Sequence, residues 1–148
     1  MHLTAALVDG STLRAHVERG LGAVNRQDLA LIAERERRKV GDSLDLDEAT
    51  RAEFPQAYRW DYLLSIPAAT QIIGLEPHTA SDAEIRVVIA KKAHALAYLR
   101  GHLRARCSVS RWYWVTRGAV NFSRMEKARR LLDQSGIEFV GRRLMHLP

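Results

Sequence analysis

Cysteine is almost absent from this chain of 148 residues, in which Cys107 is the only one. A single cysteine excludes an intramolecular disulfide and a structural zinc site built from cysteine ligands. Long apolar runs are absent too, since no stretch approaches the roughly 18 residues that a membrane-spanning helix requires. The sequence also has no Gly-x-Gly-x-x-Gly or P-loop pattern, which argues against a nucleotide cofactor.

The first residues show none of the features of a secretory signal. Met1–Val8 is short, has no basic region and leads directly to Asp9, so we expect a cytoplasmic protein. The chain length matches one domain of ordinary size. A content of 47% hydrophobic and 27% charged residues is typical of globular proteins, and a single domain over residues 1–148 is therefore expected.

Acidic residues are scarce in the last third of the chain. Residues 1–99 hold 12 Lys and Arg against 14 Asp and Glu, whereas residues 100–148 hold 11 against 3. A surface with this excess attracts polyanions such as nucleic acid, although a solvated basic face that only aids solubility gives the same count. The candidate nucleic-acid contacts are Arg111, Arg117, Arg124, Arg142 and Arg143.

The spacing of apolar residues and of turn residues predicts an alternation of helices and strands. Apolar residues recur at helical spacing, between capping residues and glycines, in four segments: 11–24, 26–40, 82–103 and 123–134. Four runs rich in aromatic and β-branched residues are predicted as strands: 59–66, 70–76, 108–116 and 137–140. The first two strands are joined by a short turn at Pro67, which favours an antiparallel hairpin.

These elements predict an α/β fold. Strand–helix–strand connections favour neighbouring parallel strands with helices packed on the sheet, so we expect a three-layer α/β/α sandwich with a small mixed sheet. Within it, the aromatic run Trp112–Trp114 either stacks on nucleic-acid bases or packs on both faces of a central strand, and the second interpretation is favoured.

Three residues of the predicted hairpin are candidates for chemistry. Asp61 lies in its first strand, and Glu76 and His78 lie at the end of its second strand. Because side chains alternate between the two faces of a strand, Glu76 and His78 share one face. A register that places Asp61 beside Glu76 gives two carboxylates for a hard cation such as Mg²⁺, which activates water and neutralises a phosphodiester. His78 either joins this site or is a hydrogen-bonded residue at the strand end.

A lysine interrupts the apolar stripe of the predicted long helix. Lys92 fills a gap in a series of Ile and Leu residues that recur every three or four positions. A lysine at such a position needs a partner. Lys92 is expected to reach a carboxylate or a scissile phosphate, to form a structural ion pair with Asp61 or Glu76, or to extend to solvent at the edge of the stripe. Lys91 points about 100° away and is the weaker candidate.

This order of elements, with Asp61 on one strand and Glu76-Pro77-His78 on the next, resembles the PD-(D/E)XK nuclease superfamily and its restriction-endonuclease-like fold. The resemblance covers about residues 28–140. It implies that Asp61 and Glu76 bind Mg²⁺ or Mn²⁺. His78 stands in the position of the motif lysine, and the resemblance implies that Lys92 supplies the amine from the following helix.

Two hypotheses on function follow. The first is a metal-dependent nuclease that hydrolyses phosphodiester bonds of DNA or RNA, in which His78 or Lys92 orients the attacking water or stabilises developing charge. The second is a non-catalytic module on the same fold that binds nucleic acid or a protein partner. Some members of the superfamily add a glutamate from the preceding helix, for which Glu34 and Glu36 are the candidates. Members often act in pairs, so the resemblance also implies a homodimer as one arrangement.

Overall fold

The computed structural model describes residues 1–148 and contains a six-stranded sheet, a two-stranded sheet and six α-helices. The strands are β1 (Val17–Arg19), β2 (Asp42–Asp45), β3 (Tyr62–Ile66), β4 (Gln71–Pro77), β5 (Ala80–Ser81), β6 (Val109–Val115), β7 (Val120–Asn121) and β8 (Glu138–Phe139). The helices are α1 (Leu3–Ala6), α2 (Arg26–Leu29), α3 (Glu34–Arg37), α4 (Leu46–Thr50), α5 (Asp82–Leu99) and α6 (Met125–Gln134).

The large sheet is mixed, with the strand order β1-β2-β3-β4-β6-β8. Its first three pairs are antiparallel, and β4–β6 and β6–β8 are parallel. The parallel pairs arise because α5 connects β4 to β6 and α6 connects β6 to β8, and a helical crossover returns the chain in the same direction. The predicted mixed α/β architecture is therefore confirmed. The strands β5 and β7 form a separate parallel pair.

The strands β3 and β4 form the predicted hairpin. Tyr62 pairs with Leu75 at its open end and Ile66 pairs with Gln71 at the turn. The turn ends at Thr70, whose φ of 55° lies in the left-handed region. Continuation of this register brings Asp61, the residue before β3, to the side of β4 where Glu76 lies.

Apolar side chains pack on both faces of the sheet. On one face, α1, α5 and α6 cover a core that includes Trp60, Trp112 and Trp114. On the other face, the segment with α2 and α3 covers a second core that includes Tyr113. The aromatic side chains of β6 are therefore core residues that alternate between the two faces, as the favoured interpretation of Trp112–Trp114 requires.

Two predicted helices are wrong. The segment 11–24 contains a 3₁₀ turn at Thr12–His16 followed by β1, because Val17–Arg19 pairs with β2. The segment 26–40 is divided into α2 and α3, each of four residues. In both cases the contacts with the sheet outweigh a weak helical pattern. None of the helices has the length and apolar composition needed to cross a membrane.

Candidate active site

The side chains of Asp61 and Glu76 meet on the face of the sheet that α5 covers. Glu76 lies near the end of β4, and Asp61 directly precedes β3 on the adjacent strand. The backbone N–H of Asp61 donates a hydrogen bond to Oε1 of Glu76 at 2.9 Å. The hairpin register thus brings together the two acidic residues that the alternation of side chains selects.

Glu76 is fully buried, and a buried carboxylate is costly unless it is paired. Its Oε2 accepts a hydrogen bond from Nζ of Lys91 at 2.5 Å and lies 3.5 Å from Nδ1 of His78. Because Asp61 donates to the other oxygen, both oxygens of Glu76 have partners. The carboxylate is therefore held in one orientation.

The carboxylate of Asp61 is less completely paired. Its Oδ1 lies 3.7 Å from Nζ of Lys91, and 25% of its side chain is exposed. Burial and the neighbouring charge of Glu76 raise the pKa of Asp61 to about 7, and Lys91 opposes this rise only in part. Two carboxylates that share a desolvated position repel each other, so a cation beside them stabilises the doubly ionised form.

Lys91 supplies the positive charge at this position. It lies on α5 with 14% of its side chain exposed, and its Nζ contacts both carboxylates. Burial acts to lower the pKa of Lys91, but the charges of Glu76 and Asp61 outweigh burial and the pKa is raised. Lys91 therefore remains an ammonium group between the two acids.

His78 connects this cluster to the start of α5. Its Nε2 lies 2.7 Å from Oε2 of Glu84, while its Nδ1 faces Glu76. The backbone carbonyl of His78 accepts a hydrogen bond from Nε1 of Trp114 at 3.0 Å, which fixes the position of the loop. The hydrogen bond with Glu76 raises the pKa of His78, with a further contribution from Glu84 that together outweighs burial.

Lys92 does not reach the carboxylates, which corrects the expectation that it serves this cluster. Its Nζ donates to the backbone carbonyl of Ser135 and lies 5.6 Å from the centre of the Trp112 ring. Ser135 ends α6, where a positive charge is favourable. Adjacent residues of a helix point about 100° apart, so Lys91 faces β4 while Lys92 faces β6 and α6.

From the sequence, Lys91 was the weaker of the two lysine candidates, and Glu84 was not predicted to be a site residue. Lys91 and Glu84 are seven residues apart on α5 and so lie on the same side of the helix. An acidic and a basic residue at this spacing, on the helix that follows Glu76 and His78, are a signal that could have found them. To use this signal, one must know which side of α5 faces β4, and the sequence pattern does not show this.

Two of the five arginines that were candidates for nucleic-acid contact are engaged within the chain. Arg117 pairs with the buried carboxylate of Asp28, which also accepts a hydrogen bond from the hydroxyl of Tyr62 at 2.6 Å. Arg142 donates to the backbone carbonyl of Gly118 at 3.2 Å. Arg117 thus fixes α2 to the end of β6, and its charge is compensated.

The other three arginines are exposed and form no ion pair with an acidic side chain. Arg111 lies on β6 beside Ile73, and Arg143 lies in the segment after β8. Arg124 directly precedes α6. None of the five arginines forms an ion pair with Asp61 or Glu76.

The two glutamates considered as additions to the site lie on α3, in the layer on the other face of the sheet. Glu36 is buried and accepts hydrogen bonds from the N–H of Leu147 and from Nζ of Lys39, both at 2.7 Å. Glu34 is exposed. Glu36 therefore fixes the last residues of the chain, and neither glutamate joins Asp61 and Glu76.

The chain has no group of three or more His, Cys, Asp and Glu side chains arranged to hold a metal ion. The chemistry of the carboxylate pair nevertheless fits a hard divalent cation. Asp61 and Glu76 converge on one cationic group, and the pKa of Asp61 is raised by burial and by the charge of Glu76, which this group opposes only in part. Mg²⁺ commonly takes one or two carboxylates from a protein and completes its ligands with water and phosphate.

Compared with protein-family models, with curated proteins and with solved structures, the chain matches none.

Proposed function

We propose that this protein is a metal-dependent nuclease that hydrolyses phosphodiester bonds of DNA or RNA at a site formed by Asp61, Glu76 and Lys91. The observation that carries the proposal is the convergence of two carboxylates and one amine on a single point. Nζ of Lys91 lies 2.5 Å from Glu76 and 3.7 Å from Asp61. These are the groups that the PD-(D/E)XK resemblance implies, with the amine supplied by α5 through Lys91 and not through Lys92.

The order of elements around the site supports a restriction-endonuclease-like fold. The strands β2, β3 and β4 form an antiparallel meander, and β6 pairs parallel to β4 after the crossover by α5. The two acids lie on the central hairpin of this arrangement, and the amine lies on the crossover helix. The resemblance depends on this order of strand, strand, helix and strand.

Asp61 and Glu76 are the residues that would hold Mg²⁺ or Mn²⁺. A bound ion of this kind lowers the pKa of a coordinated water and neutralises charge on a phosphodiester. Asp61 would stay ionised at neutral pH beside such an ion, because the positive charge opposes the effect of burial and of Glu76. Glu76 contributes a carboxylate whose orientation is already fixed by Asp61 and Lys91.

Lys91 and His78 have separate roles in this proposal. The ammonium group of Lys91 donates hydrogen bonds at the point where negative charge develops on the phosphate. His78 is a positioning residue, since it lies between Glu76 and Glu84 and limits the movement of both. Its raised pKa favours the protonated imidazolium next to Glu76.

A second candidate function is a non-catalytic module that binds nucleic acid or a protein partner. The completeness of the polar contacts favours it, because both oxygens of Glu76 and both ring nitrogens of His78 have partners within the chain. A network of this kind can serve only to join β4 to α5. The two functions differ in what a divalent cation does to the protein.

Titration calorimetry with Mg²⁺ and Mn²⁺, together with cleavage of labelled DNA and RNA, tests the proposal. The native chain is expected to bind the cation and to cleave at least one substrate. Glu76→Gln should abolish both properties, and Lys91→Ala should lower the cleavage rate by about 100-fold or more, as removal of a transition-state donor does.

Lys92→Ala is the matched control, because it removes the same side chain from the next residue of α5. It should cleave at a rate close to that of the native chain. Equal loss in the two lysine variants, or cleavage that continues without a divalent cation, would contradict the proposal. Circular dichroism of each variant checks that the fold is retained.

A further inference from the structure

A groove between α5 and α6 combines an apolar floor with a cationic rim. The floor is formed by Ile85 and Ile89 of α5 and Leu131 of α6, and the rim by Arg86, Arg124 and Lys127. Its volume of about 440 Å³ lies within the range of small-molecule sites. These three floor residues and three rim residues define the α5–α6 groove.

The rim cations have no acidic partner. Arg86, Arg124 and Lys127 form no ion pair within the chain and are exposed. The one carboxylate that lines the groove, Asp82, accepts hydrogen bonds with both oxygens from the N–H of Ser123 at 3.2 Å. The groove therefore has a net positive charge, and an occupant should be an anion.

The groove and the candidate active site lie on opposite flanks of α5. Lys91 and Glu84 point to the flank that faces Glu76, whereas Arg86 and Ile89 point to the flank that faces α6. A helix with its side chains is about 10–12 Å wide, so a strand bound at the carboxylates can extend across the start of α5 to the groove. The groove would then hold another nucleotide of the strand that is cleaved, about one helix width from the carboxylates.

The floor restricts the kind of nucleotide that fits. Aliphatic side chains favour contact with an apolar surface, and the faces of the bases are the apolar surfaces of a nucleic acid. In a duplex these faces are covered by stacking, whereas an unpaired nucleotide presents them. A phosphate on the rim and a base face on the floor would together use both parts of the groove.

We propose that the α5–α6 groove binds an unpaired nucleotide of the substrate, so that the protein prefers single-stranded nucleic acid or single-stranded ends to blunt duplex. This inference rests on the proposed nuclease function, which supplies the reason for a nucleic-acid strand at the neighbouring carboxylates. An acidic peptide is the other occupant that fits the charge, and competition with polyglutamate distinguishes it from a nucleotide.

The test measures fluorescence anisotropy of the full chain with EDTA present, so that no strand is cleaved. The probes are a short labelled single-stranded DNA, an abasic strand of the same length and a blunt duplex. The native chain should bind the single strand most tightly. Arg124→Ala combined with Lys127→Ala should weaken this binding about tenfold and lower the slope of log affinity against log salt by about 1.4, or about 0.7 for each lost phosphate contact.

Two variants give the test its specificity. Leu131→Gln keeps a good helix former and should weaken binding of the single strand severalfold while leaving the abasic strand and the duplex unaffected. The matched control is Arg100→Ala combined with Arg106→Ala, which removes two exposed charges at the other end of α5. This control should bind the single strand within about twofold of the native chain, because removal of long-range attraction alone is a small effect.

Equal weakening by the two arginine-containing double variants would overturn the inference. So would an equal effect of Leu131→Gln on all three probes, or displacement of the single strand by polyglutamate at a matched concentration of charge. The proposed function fails separately: if the native chain cleaves nothing with Mg²⁺ or Mn²⁺ but shows the expected pattern of binding, the groove remains a nucleotide site. If cleavage requires Glu76 and the groove variants bind like the native chain, only the groove inference fails.

Discussion

Charged side chains are buried and paired on one flank of α5, and exposed and unpaired on the other. On the flank that faces β4, Glu76, Lys91 and His78 are largely buried, and each has a charged partner. On the flank that faces α6, Arg86 and Lys127 are exposed and have none. Buried charges require compensation, and their effect on stability and on each other's pKa is large. Exposed charges cost little to leave unpaired, so they remain available to a polyanion.

The largest expected effect follows from removal of the central cation of the buried flank. Lys91→Met leaves Glu76 buried without its closest positive charge, and loss of one partner of a buried pair costs about 3 kcal/mol of the free energy of unfolding. Lys92→Met removes a cation–π contact and a hydrogen bond at the end of α6, which should cost about 1 kcal/mol. Urea denaturation of both variants measures the difference, and equal losses would refute the distinction between the two lysines.

The pH dependence of stability isolates Asp61. Its pKa is raised to about 7, so between about pH 4 and pH 7 the folded chain binds a proton that the unfolded chain has released. The free energy of unfolding should therefore fall as the pH rises through this window, by an amount on the order of 1 kcal/mol per pH unit, and change no further through this group above it. Asp61→Asn should remove this slope.

Thermal denaturation of the native chain and of Asp61→Asn, at a series of pH values without divalent cations, measures the slope. The comparison is needed because His78 also has a raised pKa, and its stabilisation is lost as the pH rises through that value. Added Mg²⁺ should flatten the slope of the native chain, since the cation favours ionised Asp61. A slope that is the same with and without the Asp61 carboxylate would show that the pKa of Asp61 is not raised in the folded chain.

A smaller effect is expected where the buried network reaches the start of α5. Glu84→Gln removes one of the two carboxylates beside His78, so the pKa of His78 should move down towards its ordinary value without reaching it. The shift stays partial because the hydrogen bond with Glu76 is the larger cause. NMR titration of the imidazole protons measures the change, and an unchanged titration curve would mean that Glu84 does not interact with His78 in solution.

The smallest effect is expected on the other flank. Arg124→Ala combined with Lys127→Ala removes two exposed cations without partners, so the free energy of unfolding should change by no more than about 0.5 kcal/mol. Urea denaturation is again the measurement. A loss as large as that of Lys91→Met would show that these side chains have structural partners, and it would remove the contrast between the two flanks.

Local sequence pattern was sufficient for the central hairpin and for the helices that follow it. Alternation along β4 places Glu76 on the α5 face, and the turn at Pro67 joins the two strands in the register that brings Asp61 close. These features depend on residues that are close together in the sequence, so a short segment is enough to predict them. The predicted helix at 11–24 failed because β1 exists only through its pairing with β2, an interaction that no local pattern records.

The orientation of α5 around its own axis determines which lysine contacts Asp61 and Glu76. Lys91 and Lys92 point about 100° apart around α5. The apolar stripe that the sequence pattern defines is also about 100° wide, so the pattern does not show which of the two lysines faces the acids. Packing of α5 against Trp112 and α6 then assigns Lys92 to the end of α6 and Lys91 to Glu76. The same packing makes Glu84, seven residues before Lys91, the partner of His78.

By itself, the sequence determined the mixed α/β class, the hairpin that carries Asp61 and Glu76, and the excess of basic residues in the last third of the chain. Each of these depends on composition or on spacing within a few residues. The tertiary structure alone decided which lysine compensates the two acids, which glutamate holds His78 and which cations stay unpaired beside α6. Those outcomes depend on how helices rotate and pack on the sheet, because only packing determines which charges lose water and must find a partner.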